Sequence, residues 1–200
     1  VTPLNPPLLE GRHAHLEPLQ MGHAEALLEA AADGALWESR VTIVPGNAAA
    51  MDDYLSEALA GQAEGRYLCF VVIRASDGRV VGSTRYRAIA LAHRRLEIGS
   101  TWLSRSAQRT AINTECKRLL LAHAFEVLGC ERVELVTDVL NTQSRAAILR
   151  LGAVEEGILR RHMVMPDGRI RDSVMHSIIA AEWPAVRARL DARLALGTGG

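Results

Sequence analysis

One carboxylate, Glu97, stands between Leu96 and Ile98 in an apolar stretch that runs from Arg95 to Leu103. Strand alternation puts it on the sheet face opposite those two neighbours. Ser104 to Ala107 then leads into Gln108-Arg109-Thr110-Ala111-Ile112-Asn113, and an amphipathic run begins at Thr114. A strand that delivers backbone into a loop at a helix N-terminus gathers unpaired N–H groups and the positive end of the helix dipole in one place. Such a place seats phosphate, and Arg109 adds a charge to it. A partly buried carboxylate nearby has a further use. An α-amine has a pKa of roughly 8 and a lysine amine roughly 10.4, so either must lose a proton before it can act as a nucleophile, and a carboxylate of raised pKa can take it directly or through one water. The alternative for Glu97 is a solvated ion pair with Arg85, Arg87 or Arg95, of little energetic consequence. A second helix start, Asn141-Thr142-Gln143-Ser144-Arg145, follows another strand, and Asn141 is a strong N-cap there.

The elements that carry these residues can be read from periodicity and turn signals. Glu10 to Leu19 reads as a first strand, Met21 to Ala32 as a helix stopped by Asp33-Gly34, Leu36 to Asn47 as a loop, and Ala48 to Ala60 as a second helix. Tyr67 to Arg74, the turn Ser76-Asp77-Gly78, Arg79 to Ala90 and the strand through Glu97 make a three-stranded antiparallel meander. The helix after the loop spans Thr114 to Leu128, with Gly129 as its stop. Arg132 to Thr137 is a strand, Asn141 to Leu151 a helix, and Ala153 to Met165 pairs with Ile170 to Ile179 through Pro166-Asp167-Gly168. A last helix opens at Trp183-Pro184, where proline is tolerated in the first turn. Residues 1–8 and 197–200 read as flexible tails. The order β-α-α-β-β-β-α-β-α-β-β-α belongs to one mixed α/β domain spanning residues 1–200, with a mostly antiparallel central sheet flanked by helices.

At 200 residues, 48% hydrophobic and 23% charged, the chain is long enough for one sizeable core, and its composition argues against disorder. With 23 basic against 23 acidic residues it lacks the electrostatic signature of a nucleic-acid or anionic-membrane surface. No apolar run is long enough to span a bilayer, and the expected location is the cytoplasm. Cys69, Cys116 and Cys130 lack paired spacing and read as buried thiols; the seven histidines form no metal-ligand spacing, so no metal is expected. Lys117 is the only lysine, and its rarity assigns it no role.

The Glu97 strand, the Gln108–Asn113 loop and the helix behind it are similar in order and spacing to the acyl-CoA-binding core of the GNAT acetyltransferases, whose loop reads Gln/Arg-x-x-Gly-x-Gly/Ala. Ala111 replaces the first glycine and Asn113 the final small residue. Glycine would let a diphosphate approach the main chain and reach positive φ freely, alanine is the smallest substitute, and asparagine visits the left-handed region more readily than most. Asn-x-x-Ser before a helix ending Leu151-Gly152 resembles the Acetyltransf_3 branch typified by ribosomal-protein N-terminal acetyltransferases. Leu9-Glu10-Gly11-Arg12, Gly82-Ser83-Thr84-Arg85-Tyr86 and Glu182-Trp183-Pro184 fall in the same order as that branch's landmarks. The resemblance implies acetyl-CoA as co-substrate and Glu97 as general base. It implies Asn141 as a contact to the pantetheine arm and Ser144, in the absence of a nearby tyrosine, as the acid that protonates the leaving thiolate. It also implies that the backbone of Trp102 and Leu103 pairs with pantetheine and faces the thioester oxygen, and that Gln108, Arg109, Thr110, Ala111, Ile112, Asn113, Thr114 and Arg145 contact the cofactor. The implied acceptor is a protein N-terminal α-amine attacking directly. A small-molecule amine and an inactive CoA-binding sensor are the alternatives, and a homodimer is common in the branch.

Overall fold

In the computed structural model, which describes residues 5–197, eight strands form one sheet in the order β1-β2-β3-β4-β5-β6-β8-β7. The strands are β1 (Leu9–Glu10), β2 (Ala14–Pro18), β3 (Leu68–Arg74), β4 (Val80–Ala90), β5 (Arg95–Leu103), β6 (Arg132–Asp138), β7 (Val154–Val164) and β8 (Ile170–Ile179). The helices are α1 (Ala24–Ala32), α2 (Ala48–Ala63), α3 (Ala111–Ala122), α4 (Thr142–Leu151) and α5 (Trp183–Ala195). Every neighbouring pair is antiparallel except β5 with β6. Most of the tails expected at 1–8 and 197–200 lies outside the described residues; residues 5–8 run without regular structure and Pro6 among them is buried.

Two apolar cores sandwich the sheet. One face packs Leu16, Phe70, Leu96, Ile98 and Ile178 against Leu120 and Leu121 of α3, Ile148 of α4 and Leu190 of α5. The other packs Cys69, Val71 and Trp102 against Leu27 of α1 and Met51, Leu55 and Ala58 of α2. Each fully buried leucine contributes about 2 kcal/mol of transfer free energy. Glu97 and Trp102 share the second face although they lie five positions apart, an odd offset, because β5 is bulged: Arg85 pairs with Gly99 while Ser83 pairs with Trp102, so one extra residue sits on β5. Ser100 takes it up in the left-handed region, φ 48°. Gly82 is required opposite this bend, since a Cβ there would lie 2.1 Å from the Trp102 carbonyl oxygen.

The first helix opens with a 3-10 turn over Met21–His23 and the second runs on to Ala63, and two further boundaries shift in ways that bear on the site. The first strand is broken by Gly11-Arg12-His13, because the Glu115 carboxylate of α3 accepts the amides of Arg12 (3.0 Å), His13 (2.5 Å) and Ala14 (2.7 Å). A Cβ on Gly11 would meet that carboxylate at 2.5 Å. The helix expected from Thr114 instead begins at Ala111, capped by Thr110, whose Oγ1 accepts the Ile112 amide at 3.3 Å. It closes through a wider π turn over His123–Val127.

Candidate functional site

The parallel ladder between β5 and β6 is short. Arg95 pairs with Arg132, Leu96 with Val133 and Glu97 with Glu134, and there the pairing among the described residues stops. Beyond it β5 continues six residues to Leu103, hydrogen-bonded to β4 alone, while β6 leans onto β8. The two strands therefore open a fork, with Glu97 and Glu134 at its base. The β5 edge facing the fork retains main-chain donors and acceptors that no strand takes up.

Glu97 is 12% exposed, and its Oε2 lies 3.6 Å from Arg87 Nε. Of the three arginines that could have paired with it, Arg87 does so, while Arg85 turns to Glu57 (3.0 Å) and Arg95 to Glu134 (3.3 Å). Burial pushes the Glu97 carboxyl above the ordinary carboxylate range, the Arg87 and Arg171 guanidiniums oppose that, and the Glu134 charge adds to it. The result is a largely buried carboxylate with a raised affinity for a proton.

At the fork's mouth two helix N-termini meet. Gln108 folds back so that its Nε2 donates to the Leu103 carbonyl (2.9 Å), and its Oε1 accepts from Gln143 of α4 (3.5 Å). Thr110 Oγ1 also donates to the Ala107 carbonyl (2.7 Å), closing the turn that feeds α3. The left-handed residue of this loop is Arg109, φ 57°; Ala111 and Asn113 stand in the first helical turn with negative φ. The glycine positions of the motif therefore need no left-handed freedom here. What glycine would leave open is room, and Ala111 is itself buried. Ile112 and Thr114 are buried in the same turn, and Arg109 is exposed.

On the other side of the mouth, Asn141 is the N-cap of α4, its Oδ1 accepting the Ser144 amide at 3.0 Å, which places Ser144 in the first turn. Arg145 is directed elsewhere: its guanidinium reaches the Val139 carbonyl (3.5 Å) and Glu155 (3.3 Å) on β7. The structure thus groups Glu97, Trp102, Leu103, the 108–114 turn, Asn141 and Ser144 around one fork and does not bring Arg145 with them. Trp102 is core by its side chain, its indole Nε1 donating to Tyr54 Oη (3.4 Å), while its backbone lies on the bulged strand.

Several neighbours escape a reading of the sequence. Lys117, 7% exposed on α3, donates to Thr101 Oγ1 (2.7 Å), which is in turn 2.7 Å from Thr84 Oγ1, so the bulge is braced from beneath. Burial pushes the Lys117 amine down to about 8. Asp138, the fully buried end of β6, receives Arg169 Nη2 at 2.5 Å, and the same nitrogen donates to the Arg40 carbonyl (2.9 Å). The 36–47 loop is thereby fastened to the β7–β8 hairpin on the Glu97 face of the sheet. Glu134 had a legible signal, alternation between Val133 and Leu135; the Asp138–Arg169 contact had none.

A family model described as "Acetyltransferase (GNAT) domain" matches residues 13–154. A GCN5-related N-acetyltransferase from Brucella melitensis is 31% identical with a TM-score of 0.85, over 96% of this chain and 90% of that one. Mycobacterium smegmatis RimJ, solved in complex with CoA-disulfide, is 27% identical with a TM-score of 0.78, over 93% and 90% of the two chains. YdaF of Bacillus subtilis (strain 168), to which a ribosomal N-acetyltransferase activity is attributed, is 33% identical over 107 residues. That match spans 54% of this chain and 57% of YdaF, a little over half of each.

Proposed function

This chain belongs to the acetyltransferase (GNAT) domain family, and on that footing we propose that it transfers acetyl from acetyl-CoA to a primary amine, a protein N-terminal α-amine. The observation that carries the reading is the fork: an unpaired strand edge running from a buried carboxylate at its base to a helix N-terminus at its mouth. The spacing suits a thioester with a long amide-bearing arm and a diphosphate at the far end. The arm would pair with β5 near Trp102 and Leu103 as an added strand, and the diphosphate would sit on the 108–114 turn, where first-turn amides lack intrahelical acceptors. Asn141 would hold the arm from the α4 side.

The chemistry is a direct displacement. Glu97, directly or through one water, removes a proton from the ammonium, and the free amine attacks the thioester carbonyl carbon. A main-chain N–H near Leu103 stabilises the oxyanion, an effect often worth about 3 kcal/mol. The C–S bond then breaks as the nitrogen gives up its second proton and the amide forms; that proton reaches the thiolate through Ser144, which donates one proton and regains another, or through water. A thiol pKa near about 8.5 makes that last proton the least demanding step. The α-amine acceptor is supported by its easier deprotonation and by the likeness to YdaF, to which a ribosomal N-acetyltransferase activity is attributed.

The test is calorimetric titration with acetyl-CoA, followed by thiol release on a panel of N-terminal peptides and small amines, with wild type and Glu97→Gln. Binding together with turnover on peptides, depressed in Glu97→Gln, supports the proposal. Turnover confined to small amines overturns the acceptor class. Binding without turnover on any amine overturns the transferase and leaves a sensor.

A further inference from the structure

Among the described residues, five arginines on or beside the Glu97 face of the sheet are paired with carboxylates. Arg85 has Glu57, Arg87 has Glu97, Arg95 and Arg132 share Glu134, and Arg169 has Asp138. Arg171, at the start of β8, belongs to the same face, since it alternates against Val174 and Ile178, which lie in the opposite core. Its Nε donates to Ser173 Oγ at 2.9 Å, and among the described residues no carboxylate lies within ion-pairing distance of its guanidinium. Ser173 also faces His162 Nδ1 at 3.0 Å.

Arg171 is nonetheless part of the candidate site. Its charge acts on Glu97 and Asp138 and repels Arg87 and Arg169, while burial strips it of water. Counting those five groups, three guanidiniums face two carboxylates, and both carboxylates already have a closer arginine. A half-buried cation with one hydrogen bond and no counter-ion is an unfavourable arrangement for the protein alone. It becomes favourable when an anion arrives from outside, because a planar guanidinium with free N–H groups matches a carboxylate.

We infer that Arg171 is the subsite for a carboxylate carried by the acceptor close to its reacting amine. The inference rests on the amine-acetylating reading above and narrows it: the acceptor is acidic beside its N-terminus. The carboxylate has two sources, an Asp or Glu side chain at the second or third position of a peptide, or the α-carboxylate of a free amino acid. The wall formed by the 36–47 loop and the β7–β8 hairpin, joined through Arg169 and Arg40, lies on the same face and favours an extended acceptor.

The experiment measures kcat/KM for matched, C-terminally amidated peptides beginning Ser-Asp, Ser-Asn, Ser-Ala-Asp and Ser-Ala-Asn, and for serine against serine amide. An acidic member preferred by about tenfold, through KM more than kcat, is the expected result. In Arg171→Gln that ratio falls to near one, and in Arg171→Lys it is partly restored. Preference among the peptides assigns the side-chain source, and preference for serine over its amide assigns the free amino acid. Equal rates on acidic and neutral members, or a preference that survives Arg171→Gln, overturn the subsite and leave the transferase standing. Acetyl-CoA binding with no amine acetylated overturns the transferase and the subsite together. Should Arg171→Gln not fold, equal rates in the wild-type protein still overturn the subsite, and a ratio reduced in Arg171→Lys still supports it.

Discussion

Replacing Lys117 with methionine removes a buried ammonium whose cost to the fold can be worked out. Its pKa is pushed from 10.5 down to about 8 by burial. At about 1.4 kcal/mol per unit, holding this amine protonated inside the fold costs about 3 kcal/mol near neutral pH. The unfolded chain keeps its proton up to 10.5 and the folded chain loses it above 8. Within that window the unfolded state binds more protons, so the lysine's contribution makes stability rise with pH. Burial pushes the thiols of Cys69 and Cys116 up to about 11 and about 12, so above pH 9 the folded state holds protons that the unfolded state has released, and their contribution runs the other way. Cys116 is charge-coupled to Lys117, but its folded-state thiol titrates well above pH 9, so from pH 7 to 9 the difference between the two proteins reports the lysine. Urea unfolding followed by circular dichroism at half-unit steps from pH 7 to 9 should show wild type gaining about 1 kcal/mol on Lys117→Met across that range. The variant loses only the hydrogen bond to Thr101, which keeps Thr84. Parallel stability curves would refute the burial account of Lys117.

Glu97→Gln should lower kcat/KM by about 100-fold or more and abolish its acidic limb, which in wild type should lie above the ordinary carboxylate range because burial raises that carboxyl; a steady-state pH–rate profile from 5 to 9 checks both. Arg169→Met leaves the fully buried Asp138 without its cation, an arrangement that costs about 3 kcal/mol or more, so the melting temperature should fall and the acceptor KM should rise as the 36–47 loop loses its tie. Arg109→Gly relieves a left-handed arginine, a conformation costing an L-residue about 1 kcal/mol, so thermal stability should hold or rise while acetyl-CoA affinity, measured by calorimetry, falls with the lost charge.

Local patterns carried much of the fold. The meander, the β7–β8 hairpin and α5 lie where alternation, turn residues and the Trp183-Pro184 start put them. The early start of α3 was also available, since Thr110 is a good N-cap, but the glycine-loop spacing read through residue 113 concealed it. The bulge was not legible, because Ser100 belongs to none of the residue types that favour the left-handed region and the extra residue shows only in the register of β5 against the Ser83–Arg85 segment of β4. Nor was the length of the β5–β6 ladder, which depends on where two strands 37 residues apart in sequence cease to face each other. The same holds for charge. Glu97 could be picked out as a carboxylate on an apolar strand, but its choice of Arg87 among three candidates, and the missing partner of Arg171, follow from register between strands.

Asp138 occupies the far tip of the strand that forms one prong of the fork, and through Arg169 it grips the main chain at Arg40. Spreading that prong to admit a cofactor must drag the carboxylate, the hairpin arginine and the loop together, since a single guanidinium nitrogen spans all three. A ligand in the fork and a ligand against the 36–47 loop would then influence each other's entry through that linkage. An ordered sequence of arrival is the kinetic behaviour this linkage favours, and severing it at Arg169 should make arrival random.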